Sequence, residues 1–81
     1  MRNPFRQPMM KLAFNELVSA YERRSKLLFH EGQPIRSNSA GVMFWRGYEG
    51  VMIGGYWDRA SKETFAYAHW LAGKACRANE Q

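Results

Sequence analysis

The chain has one cysteine, two histidines and three prolines in 81 residues, and it holds no long apolar run. The lone Cys76 excludes an intramolecular disulfide. With no secretory segment behind Arg2 and Arg6, it points to a reducing, cytoplasmic setting. A membrane span needs about eighteen consecutive apolar residues, and none is present. His30 and His69 lie far apart and leave a zinc site short of ligands, so neither metal nor cofactor is expected. Paired carboxylates are missing too, since Glu49, Asp58 and Glu63 stand alone. Cys76 follows His69 by seven residues on what would be one helix face, whereas a thiolate–imidazole dyad normally draws on separate elements and an orienting third group. "GYEGVMIGG" lacks the lysine and the preceding strand of a phosphate loop. No catalytic residue stands out, and a non-enzymatic protein is expected.

What the chain does have is small size, aromatic bulk and positive charge. A single domain of this length buries only about 60% of its unfolded surface. Its core must be completed by tight packing of aromatics and methionines, by a second copy in a homodimer, or by a partner. The net charge is +5. Residues 1–40 hold seven Lys/Arg and three acids, whereas residues 41–81 hold five and four. A basic half suits an acidic surface, nucleic acid first and acidic protein second.

Residues 1–8, with Pro4 and Pro8, read as an irregular basic arm. Met10, Ala13/Phe14, Leu17, Tyr21 and Leu28 then recur at helical spacing, interrupted by Arg24, and Gly32 and Pro34 stop the pattern. A first helix is expected over 9–30. "GQPIRSNSAG" is a linker in which Ser37, Asn38 or Ser39 can cap the next element. A last helix is expected over 60–78, capped by Asp58 or Ser61, with Phe65, Ala68/His69, Ala72 and Ala75/Cys76 on one stripe.

"FWRGYEGVMIGGYW", Phe44–Trp57, combines five large aromatics with four glycines. Val42–Trp45 and Val51–Ile53 can be read as strands of a hairpin, but two helices offer it little cover and isolated hairpins are weak. Read as a helix over 39–54, the stretch loses roughly 1 kcal/mol at each internal glycine. Gly47, Gly50 and Gly54 then share a face that a second helix can approach closely. "FWRGY" and "WLAGK" (Trp70–Lys74) also share an aromatic three residues before a glycine, so two such faces would pack pseudo-symmetrically. The expectation is an all-α domain of three helices, the last two joined through glycine-containing faces at Gly47, Gly50, Gly54, Trp70 and Gly73.

"RGYEGVMIGG" (Arg46–Gly55) followed by "HWLAGKACRA" (His69–Ala78) resembles the ribosome modulation factor family of short basic bacterial proteins. Gly47-Tyr48 matches that family's glycine–aromatic pair and Gly54 lies near its second glycine. Trp70, Gly73 and Ala78 match its closing motif. The connection here reads "YWDRAS" in place of the family's cysteine–proline–tyrosine turn, Lys74 stands where an aromatic is common, and the first helix has no counterpart in short members. The resemblance implies two packed helices and binding to ribosomal RNA or the ribosome.

The residues offered for such binding are Arg2, Arg6, Lys11, Arg23, Arg24, Lys26 and Arg36, with Arg46 and Arg59 less clearly among them. Trp45 and Trp57 are the aromatics best placed to be exposed. Phe5, Tyr21 and Tyr56 also lie near these charges. Exposed aromatics stack on unpaired bases, but tryptophan with arginine also makes protein–protein hot spots. A second function class therefore stays open: a phage-like inhibitor that blocks a host protein or defence complex. A thiol enzyme using Cys76 is a remote third.

Overall fold

The computed structural model describes residues 3–52 and 64–80. Three helices and one short hairpin make up the described fold: α1 (Pro8–Glu22), β1 (Phe29–His30), β2 (Gln33–Pro34), α2 (Ser39–Glu49) and α3 (Phe65–Asn79). It is mostly helical, as the periodicities predict, with a two-stranded sheet they do not.

Proline starts α1 without loss, because the first-turn N–H it lacks has no partner within a helix. Met10, Phe14, Leu17, Val18 and Tyr21 are buried along one face. The helix ends at Glu22, eight residues before the expected His30. Arg24 adopts a left-handed conformation (φ 52°), and the Ser25 N–H donates back to the Ala20 carbonyl at 2.9 Å. The turn brings Leu28 and Phe29 back into the core, where Leu28 is fully buried. Glu31 and Gly32 both have positive φ, the requirement of a type I′ turn, and join β1 to β2 with Phe29 opposite Pro34. Gly32 thus turns a hairpin rather than stopping a helix.

Residues 3–7 form no helix or strand, yet this segment is anchored to the core. Phe5 is buried against Phe14 and Tyr67. Asn3 ties the arm down by donating to the Lys11 carbonyl and to Asn15, both at 3.0 Å.

Asn38 caps α2 by accepting from the Gly41 N–H at 2.6 Å. Gly50 ends the helix in the left-handed region (φ 78°), and the Val51 N–H returns to the Arg46 carbonyl at 2.9 Å. Residues 42–45 are therefore helical, which removes the hairpin alternative there, and the helix stops at 49 rather than 54. Thr64 caps α3 by accepting from the Tyr67 N–H at 3.2 Å. The expected start at 60, its caps Asp58 and Ser61, and Gly54 lie outside the described residues.

Helix α3 packs on both α1 and α2. Where it meets α2 the backbones nearly touch. A Cβ on Gly47 would fall 1.9 Å from the Trp70 carbonyl oxygen, and one on Gly73 would fall 1.9 Å from the Phe44 carbonyl oxygen. A Cβ on Gly41 would likewise fall 2.0 Å from the Ile35 carbonyl oxygen. Gly50 differs: nothing lies within 4 Å of its missing side chain, so it is a helix cap and not a packing residue.

Candidate nucleic-acid interface

The core beneath α2 is a connected set of rings. Tyr21 lies 5.7–6.1 Å from Phe29, Phe44, Trp45 and Tyr48, measured between centroids. Trp45 meets Phe29, Phe44 and Tyr48 edge-on at 4.9–5.4 Å. Such edge-to-face pairs add about 0.5–1.5 kcal/mol each beyond the area they bury.

Exposed cations sit on the outer faces of these rings. The Arg24 guanidinium lies 5.0 Å from the Tyr21 centroid and 4.6 Å from that of Phe29. Arg36 lies over Trp45 at 5.6 Å and Arg77 over Tyr48 at 5.2 Å. On the neighbouring ring of α3, Lys74 Nζ stands 4.5 Å from the Trp70 centroid. At exposed sites each such contact is worth about 0.5–1 kcal/mol, enough to bias where a long side chain rests.

Two hollows of about 310 Å³ each flank the C-terminal half of α2. Arg36, Trp45 and Arg46 line one; Tyr48, Gly50, Lys74 and Arg77 line the other; Glu49 belongs to both. Glu49 pairs with Arg36. Among the described residues, Arg24, Arg46, Lys74 and Arg77 have no carboxylate partner. Glu80 accepts from the Tyr48 hydroxyl instead. Four cations therefore border one stretch of α2, with Arg24 over the adjoining rings.

The sequence-predicted residues divide. Arg24, Arg36 and Arg46 belong to this surface. Arg23 and Lys26 are exposed in the turn after α1, close in sequence to Arg24. Arg6 and Lys11 are exposed at the other end of α1, and the helical rise puts Lys11 about 18 Å from Arg23. Trp45 is 3% exposed and belongs to the core, which corrects the expectation that its ring faces a partner. Phe5 is corrected in the same way. Trp70 is buried, with its indole N–H donating to the Val51 carbonyl at 2.9 Å. Arg2, Trp57 and Arg59 lie outside the described residues. Lys74 and Arg77 were not singled out, although their three-residue spacing off the apolar stripe of the last helix is visible in the sequence.

Cys76 and His69 do not meet chemically. Burial, and secondarily the charge of Glu22, push the Cys76 thiol up to about 12, so it stays protonated at neutral pH. It lines a cavity with Val18, Tyr21 and Glu22, whereas His69 lines another with Ala13, Glu16 and Phe65 and pairs its Nδ1 with the Phe65 carbonyl at 2.6 Å. The described residues hold no cluster of three His, Cys, Asp or Glu suited to a metal ion, and no described helix is long and apolar enough to cross a membrane.

Comparison of the chain with protein-family models, with curated proteins and with solved structures finds no match in any of the three.

Proposed function

We propose that the protein is a small, basic, non-enzymatic regulator that binds ribosomal RNA, on its own or within the ribosome, through the surface around the C-terminal half of α2. The observation that carries this reading is the set of cations mounted on rings: Arg24, Arg36, Lys74 and Arg77, with Arg46 among them. Side chains steadied by rings lose less freedom on meeting phosphate than solvated ones do. The resemblance to the ribosome modulation factor family supports the same partner. It also supports reading α2 and α3 as helices packed through glycine-containing faces, with Gly47 and Gly73 at the crossing.

Affinity for a single-stranded ribosomal RNA fragment, measured across salt, tests the proposal. Each phosphate neutralised contributes about −0.7 to the log–log slope, so engagement of all five cations gives a slope near −3.5.

A second reading, an inhibitor that blocks a host protein or defence complex, draws support from the exposed Leu12, Leu27 and Phe65. Leu27 and Phe65 line one cavity with Ala13 and Ala40. In that case a protein copurifies in stoichiometric amount, resists nuclease and stays bound in high salt.

A further inference from the structure

The hollow between the end of α2 and the last turns of α3 has a construction that general phosphate binding does not require. Tyr48 is held on several sides. Tyr21 and Trp45 pack against its ring at 5.7 and 5.1 Å, and its hydroxyl is bonded to Tyr21 and to Glu80. The Arg77 guanidinium rests on this fixed ring. A guanidinium held 5.2 Å from the centroid of a fixed ring is a planar cation whose free face suits a nucleobase. Lys74 lies one helical turn before Arg77 on the same side of α3 and supplies a second positive charge. At Gly50 no side chain covers the rim, so a ligand can approach the backbone closely.

The charge inventory narrows the ligand. Two cations, Lys74 and Arg77, and one carboxylate, Glu49, line the hollow; Glu49 is paired with Arg36, and the Glu80 carboxylate is held on the Tyr48 hydroxyl. That balance suits one phosphate joined to a neutral flat group better than the continuous phosphate ridge of a duplex. The hollow is shallow and open to solvent, with a volume of about 310 Å³, which leaves room for a strand to continue past it.

We infer that this hollow seats a single unpaired nucleotide of an RNA strand, its base stacked on Arg77 and its phosphate on Lys74. The inference rests on the RNA-binding reading and narrows it to unpaired RNA read by stacking.

The test compares an eight-nucleotide single strand with the same strand made abasic throughout, which keeps every phosphate and removes every base. The wild-type protein should bind the base-bearing strand roughly tenfold more tightly, the scale of one base-stacking contact. Arg77→Lys, which keeps the charge and loses the plane, should narrow that gap severalfold. The abasic comparison uses the wild-type chain, so it reads the stack even if the variant folds poorly. Equal affinity for both strands, at a steep salt dependence, overturns the nucleotide seat and leaves the RNA-binding reading in place. No binding to either strand overturns both.

Discussion

The carbonyl oxygen of Phe44 stands 1.9 Å from the point that a Cβ on Gly73 would occupy, and the Trp70 carbonyl stands in the same relation to Gly47. In each pair the aromatic lies three residues before the other pair's glycine. At either point an added side chain would meet the backbone of the other helix, and something would have to shift.

Substitution by size exposes that difference from Gly50. Gly47→Ala and Gly73→Ala should each destabilise by about 1–3 kcal/mol through overpacking, and the leucine variants should lose more. At Gly50 the penalty comes from the positive φ, about 1–2 kcal/mol, and should be nearly the same for alanine and leucine because the space is open. Urea unfolding of the six variants checks this. Equal losses for alanine and leucine at Gly73 would place the helices further apart.

Trp45 should behave as a core residue. Trp45→Ala should lose about 3–5 kcal/mol, a large part of what a domain this small has. Trp45→Phe should lose distinctly less, since its indole N–H is buried with no acceptor among the described residues and no hydrogen bond is forfeited. A Trp45→Ala chain that unfolds at the wild-type urea concentration would show that the ring is exposed.

The Cys76 thiol should resist alkylation at pH 7 in the folded protein and react readily in denaturant. Its folded-state pKa is raised, so the protonated form contributes stability that is fully present below about pH 9 and is lost as the pH climbs towards 12. The stability of the wild type relative to Cys76→Ala should therefore fall across that window. A difference that stays flat from pH 9 to 12 would mean the thiol is solvated.

The helical character of the chain was legible because Met10, Phe14, Leu17 and Tyr21 keep one spacing, as do Phe65, Ala68, Ala72 and Cys76. The end of α1 was not. Its stop is an arginine in the left-handed conformation, where glycine is the usual signal, and Leu28 falls seven residues after Tyr21 although a turn and not a helix delivers it. Gly32 carried its usual meaning of a break, but helix stop and hairpin turn share that residue. Trp45 was misplaced because α2 is covered on two sides, by Tyr21 and Phe29 as well as by α3, and one-sided amphipathicity does not describe it. The basic surface was half visible. Charge counted along the chain favours residues 1–40, whereas packing sets Arg36 with Arg46 in one hollow and Lys74 with Arg77 in another, Glu49 lining both and Arg24 lying over the adjoining Tyr21 and Phe29, and leaves Lys11 at the far end of α1.

That grouping is the central claim, and charge reversal read through the salt dependence of RNA binding tests it most directly. Arg46→Glu combined with Lys74→Glu should weaken binding to a single-stranded ribosomal RNA fragment and reduce the log–log slope by about 1.4, two contacts' worth. Lys11→Glu, an equal reversal outside the surface, should leave the slope as it was. A Lys11→Glu effect as large as that of the paired reversal, or a slope that none of these changes moves, would contradict it.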